Sequence, residues 1–321
     1  MSVQNATLPA GAAELIEIPG LCPDDAETTL SIVIIMHNAV EYSAKCLESI
    51  RKFTTVDYRI HMLDNGSSDG TREWLESLPE GLVDRHYSDK NLGAPGGRNY
   101  LLRRAPVGKY VIFLDNDCEV FEGWDKVLVD AFESDPAIGA VGHAGWFLHV
   151  MPKNRVVIPP SDSQGLSEID VLTGYCMAMK REAVRACGLL DEGYGLYLFE
   201  DDDYCLRIKL AGYKVMGLPT IPVVHHMHRS SSTVPQILKL LYSLEKQAYF
   251  GNKWYGKAKL AKNYSFFEAA PFYVREGVIG AKDVIRAQLV TWRNTLTGSN
   301  KVRTMEKTVP QAAAEQTTAE R

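Results

Sequence analysis

Three short clusters of acids and imidazoles stand out because their spacing could do chemistry. Asp115-Asn116-Asp117 closes a run of Val, Ile, Phe and Leu, so two carboxylates one residue apart arrive together at the edge of an apolar stretch. Their repulsion is costly unless a cation neutralises it, and hard oxygen ligands suit Mg2+ or Mn2+, which keep positions for phosphate oxygens and water. For the tripeptide alone, the alternative is an exposed acidic loop. Glu200-Asp201-Asp202-Asp203 opens a helix, and a helix dipole favours acids at that end. Four in a row exceed that need, because like charges raise one another's pKa toward the value a general base near neutral pH requires. Helical spacing lets only one or two of them face a given cleft. His225-His226-Met227-His228 ends a strand and could ligate a cation, although single histidines are more often structural. No CxxC or HExxH partner marks a zinc enzyme.

Two polar segments lie upstream. Asp64-Asn65-Gly66-Ser67-Ser68-Asp69-Gly70-Thr71 holds turn residues, and Ser68 or Asp69 could simply cap the next helix. An Asp or Asn there could also accept from the ring N–H of a pyrimidine. Asn91 to Asn99 carries Gly93, Gly96 and Gly97, whose bare backbone could approach a ligand, with Arg98 facing a phosphate. It fits neither the Walker spacing nor GxGxxG, and a plain turn ahead of a helix starting near Leu101 explains it almost as well.

The elements that must position these groups alternate. Leu30 to Met36 reads as a buried strand, and Ala44, Leu47, Ile50 and Phe53 mark one face of a helix. Arg59 to Leu63 is a second strand, Thr71 to Leu78 a second helix and Tyr110 to Leu114 a third strand. This order implies an α/β fold with a mostly parallel sheet flanked by helices, whose ligands sit beyond the carboxyl ends of the strands. His37-Asn38, Asp64-Asn65 and Asp115-Asn116-Asp117 all fall at such ends. Further on, Val171 to Met179 reads as a strand interrupted by Gly174, Glu200 to Ala211 as a helix, and Lys214 to Leu218 and Ile221 to His226 as short strands. Residues 234–296 read as helical. We therefore expect an arm at 1–28, a catalytic domain at 29–232, a helical extension at 233–298 and a disordered tail at 299–321.

Composition narrows the function classes. The 321 residues are 45% hydrophobic and 23% charged, which suits a folded chain with a sizeable core. A net charge of −5 argues against nucleic acid as a partner. The longest apolar run falls short of a membrane span, and the N-terminus lacks a secretory layout. Six scattered cysteines fit a reduced, cytoplasmic setting.

Taken in order, SIVIIMHN, LDNGSSDGT, NLGAPGGRN, FLDNDCEV, TGYCMAMKREA, GLLDEGY, FEDDDYCLRIKLAGYKV and VVHHMHRSS resemble the family 2 glycosyltransferases, in the rhamnosyltransferase-like branch. The resemblance spans roughly Leu30 to Ser232. It implies the GT-A fold and an inverting transfer from a UDP- or dTDP-sugar to an acceptor hydroxyl on a glycan, lipid-linked or small-molecule acceptor. It implies bacterial glycan or glycoconjugate synthesis. By it, Asp115-Asn116-Asp117 is the DxD motif, with Asp117 on the cation and Asp115 on the ribose or the metal. Asn65 or Asp64 would hold the base, and Gly174 would line the donor sugar. Asn38, Gly93, Arg98, Asn116 and Glu200 join the donor-binding set, with His37 standing where the family usually carries an aromatic. Asp201 would be the catalytic base, and His226 or His225 would complete the metal shell.

Two other classes fit less well. A sugar nucleotidyltransferase would carry a Gly-rich basic loop after the first strand, where this chain has His37-Asn38-Ala39-Val40. A non-catalytic nucleotide-sugar binder would have lost one of the acidic motifs. Lys253, Lys257, Lys259 and Lys262, among Trp254, Tyr255 and Phe266, could meet the inner face of a membrane, cover the domain's own core, or pair two subunits as a homodimer.

Overall fold

A computed structural model of the chain describes residues 21–151, 154–158, 160, 165–227 and 236–255. Its first half is the expected alternation: β1 (Leu30–Met36), α1 (Val40–Phe53), β2 (Tyr58–Asn65), α2 (Thr71–Ser77), β3 (Asp84–Ser88), α3 (Gly93–Leu102) and β4 (Tyr110–Leu114). The β-branched run of β1 is central, pairing in parallel with β2 on one side and β4 on the other. Met36 lies beside Asp64 in that register, and Asn65 beside Ser88, so the strands end at one rim. Two elements depart from expectation. β3 is an added edge strand, polar and half-exposed along its length, so it carries no hydrophobic alternation. α3 begins at Gly93, so the glycines lie inside the helix rather than in a turn before it.

The second half adds β5 (Cys118–Val120), α4 (Trp124–Ser134), β6 (Ile138–Gly142), β7 (Gly145–Met151), β8 (Asn154–Ile158), β9 (Ser167–Glu168), β10 (Val171–Leu172), β11 (Cys176–Lys180), α5 (Arg181–Cys187), α6 (Glu200–Leu210), β12 (Lys214–Gly217), β13 (Val223–His225) and α7 (Gln236–Trp254). The main sheet runs β3-β2-β1-β4-β11-β6-β12-β9, with β11 antiparallel to both neighbours. The break expected at Gly174 is real, since β10 leaves for a separate sheet with β7 and β8. β5 and β13 form a small antiparallel ribbon.

Strand alternation divides the core into two layers. Ile32, Ile34 and Met36 pack with Cys46, Leu47 and Ile50 of α1 and Leu128 and Phe132 of α4. Val33 and Leu63 face Leu101 of α3, Tyr204 of α6, and Phe250 and Trp254 of α7. Trp254, a candidate membrane-facing residue by sequence, is therefore buried, and Lys253 pairs with Asp191 and Asp203. Tyr255 is exposed, while Lys257, Lys259, Lys262 and Phe266, the tail at 299–321 and residues 1–20 lie outside the described residues. Residues 22–25, expected within a loose arm, are tied to the body by backbone bonds from Cys22 to Leu102 and between Pro23, Asp25 and Val107.

Candidate functional site

The rim opens at the ends of β1 and β2. Asp64 is fully buried: one carboxylate oxygen accepts from the Ser67 N–H at 3.0 Å and the other from Arg72 Nε at 2.9 Å. The Asn65 side chain accepts from the Leu92 N–H and donates to Asn91 Oδ1 and the Gly93 carbonyl. Both side chains thus shape loops. Asn38 Oδ1 accepts from the Ser68 N–H at 2.8 Å, and Asn116 Nδ2 donates to the Ser43 hydroxyl at 2.8 Å. His37 Nδ1 lies 3.1 Å from the Asn65 carbonyl, which requires the proton on Nδ1. Burial lowers the His37 pKa, so this ring is neutral with its Nε2 lone pair bare. A recess of about 230 Å3 opens beside this end, lined by Gly66, Ser67, Ser68, Arg72, Ser88 and Asp89 among others.

Beyond β4, Asp115 and Asp117 meet the β5–β13 ribbon. His225 pairs with Cys118 across the ribbon, and its Nε2 lies 3.1 Å from Asp117 Oδ1. Burial alone would lower the His225 pKa, but the hydrogen bond and charge of Asp117 outweigh it and leave it raised. The Tyr175 ring stacks on His225 at 4.5 Å. His226 turns the other way, to Glu119 Oε1 at 2.7 Å. Single donor atoms of Asp117, Cys118 and His225 lie within 4.8 Å of one another. The Cys118 thiol is held protonated, since burial raises its pKa strongly and its S–H points to the Tyr175 carbonyl. A carboxylate and an imidazole are therefore the groups here that fit a divalent ion.

The third component comes from α6. Asp201 Oδ2 accepts from the Gly174 N–H at 2.8 Å, and Oδ1 from the Asp202 N–H. Glu200 is buried, and that burial, with the Asp201 charge added and Arg98 opposing, pushes its pKa up to about 8. Burial also raises the Asp115 pKa, with Arg98 pulling it down and Asp117 pushing it up. Arg98 itself is only 4% exposed and reaches Asp115 at 3.3 Å, the Gly174 carbonyl at 3.0 Å and Glu200 at 3.7 Å. Backbone strain gathers at the same rim. Among the described residues, the non-glycine residues with positive φ are Asn38, Ala39, Leu198, Phe199 and Met227, which follow β1, precede α6 and follow β13. Each such conformation costs on the order of 1–3 kcal/mol, which surrounding structure must hold in place.

Comparison with known proteins attaches a family to this architecture. Residues 31–188 match the family model described as Glycosyl transferase family 2. Over those residues, just under half of its length, the chain is similar to the family 2 glycosyltransferases. An uncharacterized glycosyltransferase of Nostoc sp. is 25% identical over 243 residues, 67% of this chain and 72% of that protein. The uncharacterized glycosyltransferase YibD of Escherichia coli is 30% identical over 146 residues, 45% of this chain and 41% of its own length. Of other curated relatives the chain spans less: 15% of an uncharacterized glycosyltransferase of Rickettsia felis and 25% of an uncharacterized protein of Sinorhizobium fredii. A crystal structure of GalNAc-T7 with UDP, GalNAc and Mn2+ shares the GT-A fold, with a TM-score of 0.55 at 19% identity over 78% of this chain and 54% of that one.

Most expected site residues lie along this rim. Arg98 joins Asp115, Gly174 and Glu200, and Gly174 joins Asp201, while Asp117 and His225 form a pair whose charges act on Asp115. Three placements add detail to the expectation. Asp64 and Asn65 are buried and hold neighbouring segments, Asp64 through Ser67 and Arg72 of α2 and Asn65 through residues 91–93. Arg98 turns inward to Asp115 and Glu200. Gly93 is a docking point: at φ +75° its added Cβ would stand 2.1 Å from the Gly195 carbonyl oxygen. The sequence reading missed Tyr175, although the TGYC segment containing it was visible, and it missed Glu119 as the partner of His226.

Proposed function

We propose that the chain transfers a sugar from a nucleoside diphosphate sugar to an acceptor hydroxyl, with inversion, using Asp201 as the base. One observation carries this reading. Asp115 and Asp117 at the end of β4, His225 on the ribbon and Asp201 at the start of α6 come from separate stretches of chain and meet at one rim of the sheet. A divalent ion there, held by Asp117 and His225 with Asp115 beside them, would stabilise the charge of a departing diphosphate. The mixed oxygen and nitrogen donors favour Mn2+ over Mg2+. Asp201 takes the proton of the acceptor hydroxyl as that oxygen attacks the anomeric carbon and the diphosphate leaves. A single displacement needs this one base. A hydrolase would need two opposed carboxylates.

The nucleotide is proposed to lie along the ends of β1 and β2, against His37, Asn38 and the recess beside Ser67 and Ser68, whose loops Asp64 and Asn65 hold. A UDP- or dTDP-sugar donor, an acceptor in bacterial glycoconjugate synthesis and a cytoplasmic site of action complete the reading. Among the described residues no helix is long and apolar enough to cross a membrane.

Thermal unfolding tests it. A panel of nucleoside diphosphate sugars with Mn2+ at about 100 times Kd should raise the Tm by roughly 5–10 °C. The rise should vanish in Asp117→Ala, shrink in His225→Ala and persist in His226→Ala. A rise that survives Asp117→Ala would contradict the proposed ion site.

A further inference from the structure

The mechanism above leaves Arg98 unused, although its placement is the least expected in the site. Its guanidinium is buried against the Phe113 ring at 4.9 Å. One nitrogen, Nη2, donates to both Asp115 Oδ1 and the Gly174 carbonyl, while Nη1 lies 3.7 Å from Glu200 Oε1. The Gly174 peptide then continues the connection, since its N–H donates to Asp201 Oδ2 at 2.8 Å. Asp115, Arg98, the Gly174 peptide and Asp201 thus form an unbroken chain of contacts. A side chain there would press on that join: a Cβ on Gly174 would stand 3.0 Å from Arg98 Nη2 and 3.3 Å from Asp201 Oδ2.

Charge gives the arrangement a purpose. Asp115, Asp117 and Asp201 crowd one rim beside the buried Glu200, and a buried guanidinium among them offsets a repulsion between the acids. A planar fork is also suited to hold two acids and a carbonyl at fixed angles, which an ammonium cannot do.

We propose that Arg98 is a positioning residue that couples the cation-binding acids to Asp201 and does not itself bind the donor phosphates. The proposal rests on the sugar-transfer reading and deepens it. The two possible roles of this arginine separate in kinetics. Loss of a phosphate contact weakens nucleotide binding, whereas loss of a positioning contact lowers turnover on an unchanged complex.

The test uses the full chain, with kcat and KM measured on whichever nucleoside diphosphate sugar the wild type turns over. The affinities for UDP and dTDP with Mn2+ are measured by calorimetry. Arg98→Met should lower kcat roughly a hundred-fold, the scale of a small misplacement of reacting groups, with nucleotide affinity within about three-fold of wild type. Arg98→Lys should recover thermal stability but not kcat, because it restores the charge and not the fork. Gly174→Ala, which leaves Arg98 in place and wedges the join, should reproduce the kcat loss and covers the case in which Arg98→Met does not fold. Nucleotide affinity that falls in step with kcat/KM while kcat holds would overturn the proposal in favour of a phosphate contact. Unchanged kcat in Arg98→Met or in Gly174→Ala would overturn it as well. A wild type that turns over no nucleoside diphosphate sugar would overturn the underlying reading itself.

Discussion

The acids at the rim differ in what their surroundings do to them. Glu200 is buried, with Arg98 opposing the effect of that burial, and its pKa stands at about 8 against an ordinary 4.5. Between those values the folded chain holds a proton that the unfolded chain has released. Stability from this group is therefore complete below about pH 4.5 and is lost as pH rises through 8. The neutral variant Glu200→Gln should flatten that decline, with a clear gain over wild type at pH 8.5 and little change at pH 5, read from urea unfolding at both values. Equal effects at the two pH values would mean that Glu200 is ionised throughout. The residue types at the rim were legible from sequence, because acids closing an apolar strand must meet a cation or each other. Their directions were not. Whether His225 or His226 faces Asp117 depends on the phase of a three-residue strand, which is set by its pairing with β5. Arg98 turns inward because Phe113, Asp115 and Glu200, distant in sequence, wait for it there.

At the level of elements, periodicity located β1, β2, β4, α1, α2 and α6, whose apolar residues carry the fold. It missed β3, whose Asp84-Arg85-His86-Tyr87-Ser88 has no buried face to mark it and is recruited by β2 alone. It also misread α3. Three glycines in a short span argue against a helix, but here tertiary docking overrides propensity: the Ala94 N–H donates to the Leu196 carbonyl, and Gly93 lets the 195–196 backbone approach closely. Gly93→Ala should consequently cost about 1–3 kcal/mol from the left-handed backbone alone, measured by urea unfolding. It should also reduce turnover, since the displaced 195–196 backbone leads directly into Leu198, Phe199 and Asp201. A neutral Gly93→Ala would mean that this docking is not formed.

Across the whole molecule, α7 lies beyond the 31–188 family match, yet it grips the segment that delivers Asp201. From successive turns of one face, the Tyr242 hydroxyl donates to the Tyr194 carbonyl, Lys246 reaches the Gly193 carbonyl and Tyr249 reaches Asp191. At its end Lys253 and Trp254 Nε1 both meet the buried Asp203, the latter at 2.7 Å. The boundary at 232 expected from sequence would cut this helix away, and we propose that the catalytic unit extends through residue 254. Trp254→Ala should cost about 3–5 kcal/mol, as a buried aromatic truncation does, with a lower Tm for the whole chain as the readout. The sequence showed an aromatic, basic helix here but not its partners, because Asp191 lies 62 residues from Lys253 and Asp203 lies 51 from Trp254. All three scales meet in the claim that Asp201 is the base of a metal-assisted sugar transfer. The direct measurement is turnover and nucleotide affinity of Asp201→Asn with Mn2+ and the donor that stabilises the wild type. The account predicts a loss of at least roughly a hundred-fold in kcat with donor binding retained. Undiminished turnover in that variant would contradict it.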